Sequence, residues 1–185
     1  MNSPLTILGI AGSLRQGSYN RMALRAAQQL APEGVKLETF DLHGIPVFNQ
    51  DEEKSPPAIV TEFKKRIRAA DAILIATPEY NYSVPGVLKN AIDWASRPYG
   101  DSAWNEKPVA MISAAGGVLG GARAQYHLRQ CFIFLNMYPV NQPEVMIAKA
   151  HEKFDAHGNF TDEAGKKLIQ HLLQNLADWT RRLAK

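Results

Sequence analysis

A doubly wound α/β sheet with helices on both faces is the fold this sequence predicts, and three observations carry it. Strand-like and helix-like patterns alternate from one end to the other. Three of the strand runs are almost continuously apolar, as in parallel strands covered on both sides. The 185 residues, 45% hydrophobic and 21% charged, suffice for one core without disulfide or metal, so residues 1–185 are read as a single domain.

Thr6 to Ala11 is the first strand, followed by a helix with Leu24, Ala27 and Ala31 on one face. Val35 to Phe40 alternates in polarity, which suits an edge strand. Asp51 to Pro57 reads as a loop, and Ile59, Phe63, Ile67 and Ala70 stripe a second helix begun near Pro57. Lys64, Lys65, Arg66 and Arg68 are assigned to its wet face. Ala72 to Thr77 is the third strand; Leu88, Ala91, Ile92 and Ala95 stripe a helix that starts around Ser83 to Pro85. Val109 to Ala114 is the fourth strand, and Leu128, Phe132 and Leu135 mark the fourth helix, with Cys131 as a small core residue. Glu144 to Ile147 is the fifth and shortest strand. Leu168, Leu172, Leu176, Trp179 and Leu183 stripe the last helix, with Thr161 or Asp162 at its N-cap. Five strands joined by right-handed crossovers fit a three-layer sandwich of order 2-1-3-4-5 better than the six-stranded dinucleotide fold.

Composition excludes several classes of function. Net charge is +3 and the Lys and Arg residues are dispersed, so no nucleic-acid partner is expected. The sequence carries neither a signal-peptide pattern nor an apolar run long enough to span a bilayer, and a cytoplasmic protein without a membrane partner is expected. The single Cys131 rules out an intramolecular disulfide and a Cys-based zinc site. The five histidines are dispersed without H-E-x-x-H spacing, so neither a metal nor a His-based triad is expected.

In an open parallel sheet, ligands bind beyond the carboxyl ends of the strands, at the switch point between strands one and three. Three unusual loops gather there. The first, Gly12-Ser13-Leu14-Arg15-Gln16-Gly17-Ser18-Tyr19-Asn20, joins a strand to a helix start. Its glycines allow a tight turn, its amides and the helix N-terminus face an anion, and Ser13, Arg15, Ser18 and Asn20 add donors. It lacks the Gly-Lys-Ser/Thr ending of a P-loop and the G-x-G-x-x-G of a dinucleotide site, so a terminal monophosphate fits it best. Helix capping by Ser18 or Asn20 alone would not need Gly12, Arg15 and Gly17 together. The second loop, Thr77-Pro78-Glu79-Tyr80-Asn81-Tyr82-Ser83-Val84-Pro85-Gly86, offers flat apolar surface beside backbone donors and acceptors, which suits a planar heteroaromatic ring. An aromatic surface loop used only in subunit contact is the other reading. The third, Ser113 to Gly121, has paired glycines that let a ring or chain approach the backbone.

In these residues the chain resembles the NAD(P)H-dependent FMN reductases, the flavodoxin-like group that includes quinone and chromate reductases. The resemblance rests on Gly12-Ser13-Leu14-Arg15 with Ser18 and Asn20, and on Thr77 to Asn81 running through Val84-Pro85-Gly86-Val87-Leu88-Lys89-Asn90-Ala91-Ile92-Asp93-Trp94. It implies FMN as cofactor and NADPH or NADH as donor. Ser13, Arg15, Ser18 and Asn20 would hold the phosphate; Pro78, Glu79, Tyr80 and Asn81 would contact the isoalloxazine, largely through backbone; Ser113 and Gly116 would line its other edge. It also implies a homodimer or homotetramer, with the third helix and Arg97-Pro98-Tyr99 as the candidate contact.

The expected reaction is ping-pong hydride transfer from NAD(P)H to bound FMN and on to a quinone-like or other small acceptor. The cofactor carries the chemistry, so no catalytic side chain is expected. Tyr80, Tyr82, Arg97 and Tyr99, near the ring loop in sequence, are candidates for the acceptor pocket. Two alternatives stand beside this: an electron carrier without turnover of its own, and a reductase that releases reduced FMN to a partner monooxygenase. The mild positive charge argues against the first, since such carriers tend to be acidic for docking.

Overall fold

A computed structural model describes residues 4–184. The strands are β1 (Leu5–Ala11), β2 (Val35–Phe40), β3 (Ala72–Thr77), β4 (Pro108–Ala114), β5 (Tyr138–Pro139) and β6 (Val145–Ile147). The helices are α1 (Tyr19–Gln29), α2 (Ala58–Ala69), α3 (Gly86–Ala95), α4 (Ala122–Phe134) and α5 (Glu163–Leu183). All pairings are parallel, in the order β2-β1-β3-β4-β5. The expected strand order therefore holds, with one refinement at the fifth position. Two short strands share it: β5 pairs with Pro108 and Val109 at the foot of β4, and β6 pairs with Ile112 to Ala114 at its head.

Alternation along the strands sorts side chains into two cores of different grain. Ile7, Leu74 and Ile112, with Ala72, Ala76, Ala110 and Ala114, face α1 and α5. Leu8, Ile10, Ile73, Ile75, Val109 and Met111 face α2, α3 and α4. The alanine-rich face meets an alanine-rich helix, for Ala23, Ala26 and Ala27 of α1 are buried with Leu24. Small residues on both sides bring α1 close to the sheet and fix where its N-terminus lies.

Several helix faces differ from the predicted ones. Ala31 lies beyond the α1 C-cap, Leu30, just ahead of Pro32. In α2 the buried stripe runs through Val60, Phe63 and Ile67, with Ile59 only half-buried. In α5 the stripe is Ile169, Leu172, Leu173, Leu176, Ala177 and Thr180, and Leu168 and Leu183 are exposed. A spacing of four residues advances about 40° per step, so a stripe drawn from Leu168 drifts off the core face. Asp162 takes the N-cap position, but its carboxylate bonds the Lys153 ammonium at 2.7 Å. Cys131 packs half-buried at the edge of the second core, and burial pushes its thiol pKa up. Among the described residues no helix is long and apolar enough to cross a membrane.

The basic cluster on α2 is not uniformly wet. Lys65 is exposed, and Arg66 pairs with Glu38 at 2.8 Å. Lys64, however, is only 5% exposed, and its ammonium donates to the Arg97 carbonyl and, at 2.7 Å, to Asp101. Asp101 also receives Arg68 at 2.6 Å, so one carboxylate ties α2 to the chain that leaves α3. The hydrogen bond from Lys64 holds the Asp101 pKa below its ordinary 3.8, aided by Arg68 and opposed by partial burial. A carboxylate with a lowered native pKa stabilises the fold fully above its ordinary value and loses that contribution as pH falls through the lowered one. Asp101→Ala should therefore cost about 1–2 kcal/mol in urea unfolding at pH 7, between the values for exposed and buried pairs. The gap to the parent protein should close as the pH drops below 3.8.

Candidate functional site

β3 ends at Thr77, opposite Ser113 of β4, and the next residue is Pro78, which has no N–H to continue the ladder. The backbone of Ala114, one residue further along β4, is completed by a side chain. Asn20 Nδ2 donates to the Ala114 carbonyl at 2.9 Å, and the Ala114 N–H donates to Asn20 Oδ1 at 2.9 Å. Asn20 is 2% exposed. Its carboxamide thus pins the start of α1, and the loop before it, against the end of β4.

The first loop is built on this anchor. Ser18 caps α1, its Oγ accepting from the Asn20 N–H at 3.3 Å, while Ser13 Oγ accepts from the Arg15 N–H at 3.4 Å. Each hydroxyl accepts from a protein amide and keeps its own hydrogen to donate. The N–H groups of Leu14, Gln16 and Gly17 have no acceptor among the described residues. Arg15 is exposed, with its guanidinium carbon 5.4 Å from the centre of the Tyr19 ring. Free amides, hydroxyl donors, a helix N-terminus and the exposed Arg15 guanidinium converge on one spot, a donor set that suits an anion.

The second loop is a tight hairpin. Tyr80 and Ser83 exchange backbone hydrogen bonds of 3.1 and 3.0 Å across Asn81 and Tyr82. Both tip residues have positive φ, 49° and 66°, as a two-residue hairpin turn demands. Asn accepts this readily; for Tyr82 it is a strained position. The Glu79 carboxylate is directed at the start of α4: it accepts from the Arg123 N–H at 3.0 Å and the Ala124 N–H at 3.4 Å, capping that helix, and pairs with the Arg123 guanidinium. Only the backbone and flank of Glu79 are left for a ligand.

The third loop is held down by β6. Ala115 N–H donates to Ile147 O, and Lys149 N–H and Ala150 N–H donate to Gly117 O and Ala115 O. Gly121 has φ +90°, and a Cβ there would lie 2.8 Å from the Ser113 Cβ, so the turn closes over Ser113 only with glycine. Ser113 is fully buried beneath it and accepts from Gln125 Nε2 at 2.8 Å.

Together the loops frame one cleft lined by Ser13, Arg15, Ser18, Tyr19, Asn20, Pro78, Glu79, Tyr80, Ala114, Ala115 and Gly116. Of the predicted site residues, Ser13, Arg15, Ser18, Asn20, Pro78, Glu79, Tyr80 and Gly116 are brought together there. Asn81 and Tyr82 form the hairpin tip beside it, whereas Ser113 lies under the third loop and does not line the cleft. Arg97 and Tyr99 do not reach it. They follow α3, whose 10 residues carry the chain about 15 Å back toward the other edge of the sheet. There the Arg97 guanidinium stacks 3.9 Å from the Tyr99 ring centre and lies 3.8 Å from Glu53. Sequence reading missed Tyr19, whose signal was its place inside the first motif, and the supports Arg123 and Gln125. Their partners lie 44 and 12 residues away, and no local pattern marks them.

Comparison with known proteins identifies the family. The profile of the NADPH-dependent FMN reductase family matches residues 5–152. An NAD(P)H-dependent FMN reductase of Pseudomonas aeruginosa is 53% identical over 185 residues, covering 99% of each chain. A 2-hydroxy-1,4-benzoquinone reductase of a Burkholderia species is 42% identical, over 96% of this chain and 97% of its own. Among solved structures, FerB, a flavoenzyme NAD(P)H:(acceptor) oxidoreductase of Paracoccus denitrificans, superposes with a TM-score of 0.86 at 39% identity, covering 96% of this chain and 98% of its own. The chain belongs to the NADPH-dependent FMN reductase family.

Proposed function

We propose that this chain is an FMN-dependent oxidoreductase that takes reducing equivalents from NAD(P)H and passes them to quinone-like acceptors. The observation that carries the reading is the cleft itself, an anion site at one end and a flat hairpin at the other, at the switch point of the sheet. The names of the Pseudomonas, Burkholderia and Paracoccus relatives agree with it.

The residues present fit FMN by donor chemistry. Ser13, Ser18, Arg15 and the unpaired amides of the first loop suit a phosphate dianion, and Asn20 holds that loop in place. The N–H groups of Glu79, Asn81 and Gly116, without acceptors among the described residues, suit the polar edge of the ring, with Pro78 and Tyr80 against its apolar surface. Ser113 supports the third loop from below. When bound, FMN supplies two-electron transfer between a nicotinamide and an acceptor. Tyr80, 52% exposed, and Tyr82, 67% exposed, border the open side, where donor and acceptor would use one surface in turn. Self-association as a dimer or tetramer belongs to the same reading, supported by the apolar groove of Ile45, Val47, Phe48 and Val87 beside α3.

Two measurements test this. Arg15→Ala should weaken FMN binding tenfold to a hundredfold, roughly the worth of one charge-assisted hydrogen bond, and leave the affinity for riboflavin, which has no phosphate, unchanged. Equal losses for both ligands in a fluorescence-quenching titration would remove the phosphate assignment. Initial rates with NADPH and a benzoquinone should give parallel double-reciprocal lines. Converging lines would overturn the shared-surface mechanism, and negligible turnover of the FMN-loaded protein would point to an electron carrier.

A further inference from the structure

The first two turns of α4 grip the hairpin at three places. The Glu79 carboxylate, just before the hairpin, accepts the Arg123 and Ala124 amides and pairs with the Arg123 guanidinium. At the tip, the same guanidinium stacks on the Tyr82 ring, its carbon 3.6 Å from the ring centre. One turn further along α4, His127 Nδ1 shares a 2.9 Å hydrogen bond with Ser83 Oγ, on the far side of the tip. Gly121, at the α4 N-cap, has no side chain to cap the helix, so Glu79 performs that role from a distant part of the chain.

What is held is strained. Tyr82 has φ +66°, which an aromatic residue adopts only where its surroundings over-determine it. Arg123 is the residue that touches both the entrance of the hairpin and its tip, and its flat guanidinium meets two different demands there: a carboxylate in one direction and an aromatic face in the other. A lysine would supply the charge without the plane. Tyr80, which lines the cleft, lies between these two points and takes its position from them.

We propose that Arg123 is a positioning residue, holding the strained Tyr80–Ser83 hairpin in the shape on which the flavin ring rests. This role depends on the assignment of the hairpin to the ring made above. Its signature is coupling: Arg123 matters because residue 82 carries a side chain at positive φ, and a glycine there would adopt the same backbone unaided.

The test is a double-mutant cycle on the holoenzyme, read by FMN affinity, the visible circular dichroism of the bound flavin and its midpoint potential, with thermal unfolding as a fold control. Arg123→Met should weaken FMN binding about tenfold, alter the dichroism and shift the potential, and Arg123→Lys should recover part of each. In a Tyr82→Gly background the same Arg123→Met change should weaken binding by less than about threefold. Lower thermal stability with unchanged affinity, dichroism and potential would reduce Arg123 to a helix-capping contact and overturn the proposal. So would an equal loss in both backgrounds, which would mean that Arg123 acts on the ligand without the hairpin. If Arg123→Met fails to fold, Glu79→Gln, which keeps the cap on α4 but removes the ion pair, should give the same spectroscopic changes in smaller degree; no change overturns the role. Arg15→Ala measured in parallel separates the two claims. If it weakens FMN while Arg123→Met does not, the positioning role alone falls; if neither does, the cleft itself is misassigned.

Discussion

The carboxyl edge of the sheet depends on the two hydrogen bonds between the Asn20 carboxamide and the backbone of Ala114. Once β3 ends at Thr77, the buried N–H and carbonyl of Ala114 on β4 have no partner on that strand, each costing about 1–3 kcal/mol if left so. Asn20 replaces the missing strand with one side chain. Because Asn20 sits in the first turn of α1, the repair also sets the distance between the first and third loops. The cleft between them is a consequence of finishing the sheet.

The rest of the edge follows from how the layers meet. Alanines on the sheet face beneath α1 allow that helix to approach closely, and its N-terminus arrives near the end of β4. On the opposite face, bulkier Leu, Ile and Met side chains pack against α2, α3 and α4. Splitting the fifth strand position has a similar local effect. The short β6 reaches the head of β4, and the Ile147 carbonyl then holds Ala115 while Ala150 and Lys149 reach back to the third loop. That loop is therefore fixed by backbone on one flank and by the Ser113–Gln125 contact below.

This explains what the sequence made legible and what it did not. The first four strands are dense apolar or alternating runs, and periodicity finds them within a residue. Tyr138–Pro139 is too short to show a period, so half of the fifth position went unseen. Apolar spacing predicts the helix faces, and in the 21-residue α5 the four-residue leucine spacing misplaces the ends of the stripe. The basic cluster on an amphipathic helix predicts a solvated Lys64, yet Asp101 and the Arg97 carbonyl, more than 30 residues away, make a buried place for it. The cleft was legible because strand–loop–helix junctions concentrate its residues into short motifs at a predictable edge. Nearness in sequence puts Arg97 and Tyr99 beside the ring loop, but the intervening α3 carries them off.

Several motif residues prove to have two kinds of work divided among them. Asn20 and the Glu79 carboxylate, the most recognisable polar groups of their loops, are both occupied by the protein's own backbone, at Ala114 and at the start of α4. Ser13 and Ser18 each give a lone pair to an amide in their own loop and keep a hydrogen to donate. What faces outward is mostly backbone N–H, with Arg15 as the exposed charge. Backbone donors gain direction only when the loops that carry them cannot move, which is what Asn20 and Glu79 provide. The strain at Tyr82 fits the same division. A relaxed turn could drift with its ligand, whereas a turn forced into positive φ and held by α4 presents its amides in one arrangement before anything binds.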